Sequence, residues 1–150
     1  MTAQHPPLEQ EYAYDVFISY RQQDPEARWV REQLAPRLRV AGLRVCLDRD
    51  SFRLGAPLVL EMGRAVESSR FTLLVLTPAY LESAYTELES VLAEHLGLEQ
   101  RENRMLVALR EPTVPRLGLR ARLWLDLTVD DELDTQLERL ATAVRGEGDR

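Results

Sequence analysis

The sequence predicts a single α/β domain whose parallel sheet is covered by helices on both faces. Three observations predict it. Five short apolar runs alternate with stretches of helical periodicity, and strand–helix alternation builds parallel sheets with right-handed crossovers. The length of 150 residues suits one domain, and a chain of that size buries roughly 68–70% of the surface it exposes when unfolded. Its 45% apolar and 29% charged residues are ordinary proportions for a globular core and surface.

The elements follow in order. Residues 1–11, with Pro6 and Pro7, read as a flexible N-terminal tail. The domain is expected over residues 12–145, and residues 146–150 read as a second tail or the start of a linker. The strands are expected at Tyr14–Ser19, Leu43–Asp48, Phe71–Leu76, Met105–Leu109 and Leu123–Asp126. The third is the most continuously apolar and belongs at the centre of the sheet; the fifth is short and belongs at an edge. Residues 25–41 carry Val30, Leu34, Leu38 and Ala41 at helical spacing, with a kink or break expected at Pro36. A helix over 57–68 opens on Pro57, a residue suited to a first helical position. Further helices are expected over 83–99 and 130–145, while Pro112, Pro115 and Gly118 interrupt residues 111–121. The expected architecture is a flavodoxin-like three-layer fold with strand order 2-1-3-4-5. In such a sheet the order reverses between the first and third strands, and ligands bind outside the carboxyl ends of the strands at that point. The loops there are Ser19–Asp24 and Thr77–Ser83.

Composition excludes several functions. A net charge of −6 argues against nucleic acid as a partner. The start, MTAQHPPLEQE, lacks the basic and apolar regions of a secretory signal. No apolar run approaches the ~18 residues of a membrane span, so no membrane partner is expected. The one cysteine, Cys46, rules out an internal disulfide and points to a reducing, cytoplasmic location; within an apolar strand it reads as a small buried residue. The chain has no lysine, which removes lysine chemistry. It has no glycine-rich phosphate loop, and His5, His95 and Cys46 give no metal-binding spacing, so neither a metal nor a resident cofactor is expected. A phosphorelay receiver shares the architecture but needs acidic residues after the first strand and a lysine after the fifth. Here the first strand ends Ser19-Tyr20-Arg21.

Four segments, in order, resemble the TIR (Toll/interleukin-1 receptor) family over almost the whole chain. Tyr14-Asp15-Val16-Phe17-Ile18-Ser19-Tyr20-Arg21, followed by Asp24, is similar to the family's first box. Gly42 to Asp48, then Phe52 and Gly55, resembles the second strand and the BB loop after it. Ala65 to Arg70, then Val75-Leu76-Thr77-Pro78-Ala79-Tyr80, resembles the second helix and third strand. Ser83-Ala84-Tyr85-Thr86-Glu87-Leu88-Glu89 resembles the box Ser-x-Trp-Cys-x-x-Glu, with Tyr85 for tryptophan and Thr86 for cysteine.

The resemblance implies an NAD glycohydrolase of the bacterial, NAD-cleaving type, which releases nicotinamide and ADP-ribose or a cyclic form. It implies activation by self-association in bacterial immune signalling and antiphage defence. NAD enters as substrate, and the other partners are further TIR domains in a homo-oligomer. Glu89 matches the family's catalytic glutamate. On a helical wheel it lies at the rim of the apolar stripe through Leu88, Leu92 and His95, on the side of Tyr85, and is expected to be partly desolvated. Glu87 and Glu94 are expected to point toward solvent. Glu89 also fits a capping box with Thr86, in which it only bonds the backbone at the helix start. Arg21 is the candidate for the pyrophosphate, or else an exposed loop arginine. Ser19, Tyr20, Phe52 and Tyr85 are candidates for lining the nucleotide site, Tyr85 by stacking on a base. Asp48, Arg49, Phe52, Gly55 and Pro57 are assigned to the interaction loop, whose charge and glycine suggest mobility. One carboxylate suffices here. Glycosidases use two because an alkoxide leaving group needs a proton, whereas nicotinamide leaves as a neutral molecule. The alternative reading is a non-catalytic module that recruits other TIR domains through that loop.

Overall fold

A computed structural model describes residues 12–47, 52–83, 85–97, 103–113 and 124–146. Five parallel strands form one sheet in the order β2-β1-β3-β4-β5, as the apolar runs predict. They are β1 (Tyr14–Ser19), β2 (Val45–Cys46), β3 (Ser69–Leu76), β4 (Met105–Leu109) and β5 (Trp124–Asp126). Among the described residues of the predicted second strand, Val45 and Cys46 form the ladder. Before it, the Asp15 carboxylate accepts from the Arg44 backbone N–H at 2.7 Å, and the Leu43 N–H goes to the Leu38 carbonyl at 3.1 Å. Leu43 and Leu47 are buried, so the apolar run reported burial rather than pairing. β3 begins two residues early because Ser69 pairs with Tyr14.

Helical segments cover both faces. On one face lie α1 (Glu26–Trp29), a π-helical turn (Val30–Leu34), α2 (Ala35–Val40) and α6 (Leu133–Arg145). On the other lie α3 (Leu58–Ser68), α4 (Pro78–Ser83) and α5 (Tyr85–His95). The irregularity expected at Pro36 takes the form of a π-helical turn, Val30–Leu34, that ends where α2 begins. Proline has no N–H to give and its ring crowds the carbonyl four residues back, and the chain meets both constraints with the wider π turn just before it. Pro57, expected as the first helical residue, has ψ 134° and stands before the helix as its cap. The predicted loop Thr77–Ser83 is helical from Pro78 onward. A short 3-10 turn, Asp130–Glu132, precedes α6, which closes on Gly146 at φ 76°. The tail readings for residues 1–11 and 147–150 lie outside the described residues. Among the described residues no helix is long and apolar enough to cross a membrane.

Asp15 ties the start of β1 to the β2 edge. Arg44 Nη2 donates to it at 2.9 Å. Burial alone would raise the Asp15 carboxyl, but the Arg44 hydrogen bonds outweigh it and hold the group below its ordinary value of 3.8. A depressed folded value means stability that is present above pH 3.8 and lost as pH falls through the folded value. Acid titration of wild type and Asp15→Asn, followed by circular dichroism, is expected to show a shallower loss of stability below about pH 4 in the variant.

Candidate functional site

The carboxyl ends of β1 and β3 are joined by a buried polar network. Ser19 Oγ lies 2.8 Å from the Tyr80 hydroxyl, and burial pushes the Tyr80 phenol well above its usual range, with the Ser19 hydrogen bond opposing. Thr77 Oγ1 accepts from the Tyr80 backbone N–H at 3.0 Å, capping α4, and donates to Glu26 Oε2 at 2.7 Å. Glu26 is only 4% exposed; its Oε1 accepts from Arg21 Nη1 at 3.2 Å. The loops at the reversal of strand order are thus fastened by one chain of hydrogen bonds. Tyr80→Phe leaves the Ser19 hydroxyl without this partner and is expected to lower stability by about 1–2 kcal/mol in urea unfolding.

Beside the network, at the end of β1, lies a small cleft of about 50 Å³. Ser19, Tyr20 and Gln22 line it from β1 and its loop, Leu58 and Met62 from α3, and Glu87 from α5. Of the residues proposed from sequence, Ser19 and Tyr20 are brought together here. Glu87 is the residue the sequence reading missed. It was expected to face solvent; it is exposed, yet its side chain forms part of the cleft wall.

The other candidates stand elsewhere. Arg21 donates to Glu26, to Gln23 Oε1 at 2.8 Å and to the Asp24 carbonyl at 3.3 Å, so it holds its own loop rather than presenting a phosphate fork. Tyr85 is 6% exposed, with its ring 6.1 Å from that of Tyr80. The expected open stacking face is not there, because the ring packs into the core. Glu89 is exposed on α5 rather than desolvated. Residues in an α-helix advance by about 100° each, which puts Glu89 about 200° from Glu87. Glu87 shares the cleft wall with Leu58 and Met62 of α3, so Glu89 lies on a different side of α5. Thr86 lies within α5, not at the cap position that the capping-box reading requires.

The loop before α3 is tethered rather than open. Phe52 is half-buried, its ring 6.3 Å from Phe17, and it lines a second cleft with Tyr14, Cys46 and Glu61. It is neither a loop tip nor part of the cleft at β1. Cys46 is buried. The Arg53 guanidinium donates to Glu61 Oε2 at 2.7 and 2.9 Å, and its backbone N–H reaches Oε1 at 3.1 Å. Arg53 holds the Glu61 carboxyl below the usual carboxylate range. Gly55, at φ +84°, takes a left-handed turn open to glycine at little cost. Asp48 and Arg49 lie outside the described residues. Around this loop Leu54 is fully exposed and Leu58, Val59 and Leu60 are about half exposed. Among the described residues no group of three or more His, Cys, Asp or Glu is placed to hold a metal.

Comparison with known proteins adds three findings. A family model described as TIR domain matches residues 16–141. The chain is 29% identical over 112 residues to Toll-like receptor 1 of Homo sapiens, covering 75% of this chain and 14% of the receptor. It is 33% identical over 105 residues to "Probable 2' cyclic ADP-D-ribose synthase BdTIR" of Brachypodium distachyon, covering 70% of this chain and 41% of that protein. The chain therefore spans a small part of the receptors it matches. Among solved structures, the TIR domain of the Toll-related receptor TRR-2 of Hydra magnipapillata superposes with a TM-score of 0.74 at 22% identity, covering 89% of this chain and 99% of that one. That likeness shows the fold.

Proposed function

We propose, because the chain belongs to the TIR domain family, that it cleaves NAD at the nicotinamide–ribose bond once copies of it assemble, as part of bacterial immune signalling. One observation carries this reading: a cleft at the reversal of strand order, in a chain related over 70% of its length to a protein named a cyclic ADP-ribose synthase. In the reaction the bond from the ribose C1′ to the pyridinium nitrogen breaks, and its electron pair stays on nitrogen, so nicotinamide leaves neutral. Water adds to C1′ and gives up a proton, forming ADP-ribose; attack by a hydroxyl of the second ribose gives a cyclic product instead. Glu89 stabilises the cationic ribose as the bond opens.

The position of Glu89 sets the condition for activity. A unit charge 4 Å away is worth about 1 kcal/mol in bulk water and about 4 kcal/mol at the effective dielectric of a protein surface. Glu89 is exposed in the single chain, so water must be excluded by another copy. The apolar side chains Leu54, Val59 and Leu60 give a neighbour's loop the surface to do this. Incubating concentrated protein with NAD and resolving the products by HPLC is expected to show nicotinamide and an ADP-ribose product in equal amounts. Intact NAD after prolonged incubation overturns the proposal.

The second reading, a non-catalytic module that recruits other TIR domains, is favoured by one observation: the exposed apolar residues lie at the loop while Glu89 is open to solvent. Val59→Asp with Leu60→Asp is expected to abolish self-association in sedimentation on either reading. Only the catalytic reading predicts that NAD turnover disappears with it.

A further inference from the structure

Resting on the assembly that this reading invokes, we infer that the turn at Leu54 of one copy seats in the groove between α2 and α6 of the next, so that copies join head to tail. The groove measures about 470 Å³, about three times the roughly 150 Å³ that admits a benzene ring. Its apolar lining is Val40, Ala41 and Leu137, and its charged lining is Arg37, Asp134 and Glu138. Val40 is 89% exposed. Arg37 is engaged by Asp134 at 2.9 Å, so Glu138, exposed on α6, leaves the groove with one negative charge in excess.

The turn has the shape and the charge to fill it. The Ala56 N–H bonds the Arg53 carbonyl at 3.2 Å, and Gly55 at φ +84° supplies the positive φ that a type II turn takes at its third position. Leu54, at the second position, is left fully exposed. Glu61 holds Arg53 by side chain and backbone, so the leucine is fixed in place before a partner arrives, which lowers the ordering cost of association. Leu58, Val59 and Leu60 extend the apolar surface along the start of α3. Arg53 and Arg64, both more than half exposed, share the one Glu61 carboxylate, so the turn carries one positive charge in excess and complements the groove. Two such turns face to face would set like charges together, which disfavours a symmetric contact.

Groove and turn lie on opposite faces of the sheet: α2 and α6 pack on one core layer, α3 and Phe52 on the other. A chain therefore cannot fill its own groove, and a contact between unlike surfaces adds copies end to end. The receiving copy comes to lie on the α3 and α5 side of the copy that supplies the turn, the side that carries Glu89.

The test follows assembly by sedimentation velocity, which needs no turnover. Wild type is expected to grow with concentration into a ladder of oligomers. Leu54→Asp and Val40→Asp, both at exposed positions, are each expected to weaken self-association at least roughly tenfold, and thermal unfolding checks that each folds. Mixed in equal amounts, the two variants are expected to form a one-to-one dimer and nothing larger, because each pair holds one intact turn and one intact groove. A second measurement uses Leu54→Cys and Val40→Cys. Since Cys46 is buried, a short bismaleimide is expected to join these two variants to each other and neither to itself. Assembly unchanged in either aspartate variant, a mixture that stays monomeric, or a wild type that never self-associates overturns the inference. Assembly that obeys this pattern while NAD stays intact overturns the proposed cleavage and leaves the contact standing. NAD cleavage that rises with concentration equally in wild type and Val40→Asp overturns the contact and leaves the cleavage standing.

Discussion

Glu89→Ala is expected to slow nicotinamide release from NAD by at least on the order of a hundredfold under assembling conditions. A factor of ten in rate corresponds to about 1.36 kcal/mol, so the loss amounts to about 2.7 kcal/mol. An exposed carboxylate facing a ribosyl cation through water supplies about 1 kcal/mol, which is too little. The expected loss therefore measures the covering of Glu89 by a neighbour as well as its charge. Glu89→Gln, which keeps the shape and removes the charge, is expected to behave like the alanine variant. Because the side chain is exposed in the single chain, neither variant is expected to move the unfolding temperature by more than about 2 °C. Turnover at the wild-type rate in both variants would remove Glu89 from the mechanism.

Arg21→Gln is expected to cost about 2–3 kcal/mol of stability, because it strands a carboxylate that the fold has buried. Glu26 is 4% exposed and, among the described residues, keeps only its contact from Thr77 once Arg21 is gone; the Arg21 side chain is itself 24% exposed, so solvent relieves part of the penalty. For a chain of this size each kcal/mol shifts the unfolding temperature by about 2–4 °C, giving a drop of roughly 4–12 °C in calorimetry. The double variant Arg21→Gln with Glu26→Gln removes both charges and is expected to recover more than half of that loss. If Arg21→Gln instead leaves stability unchanged and raises the KM for NAD, the guanidinium is a phosphate ligand after all.

The fold was legible because its signals are local. β1 and β4 fall where the apolar runs put them, and the strand order follows from alternation and handedness. The errors lie where long-range contacts decide. β2 is short because Asp15, 29 residues away, takes the Arg44 N–H. α4 had a readable signal, a capping threonine followed by proline at Thr77-Pro78. Nothing local marks Glu26 as buried, because its partner Thr77 is 51 residues distant. The apolar stripe of α5 was phased correctly, with Leu88, Val91, Leu92 and Leu96 buried. Periodicity gives a helix a buried stripe but does not say which flank meets another element, so the sequence could not tell that Glu87 borders the cleft while Glu89 is exposed. Tyr85 was read as an open face because it stands for a tryptophan in the family box; the structure packs it against Tyr80.

The rate of NAD cleavage per chain, measured against protein concentration, bears most directly on the account. A neighbour that must cover Glu89 predicts a per-chain rate that climbs steeply with concentration until assembly is complete, and a flat, near-zero line for Glu89→Ala. A constant per-chain rate across the same range, with self-association confirmed by sedimentation, would contradict it.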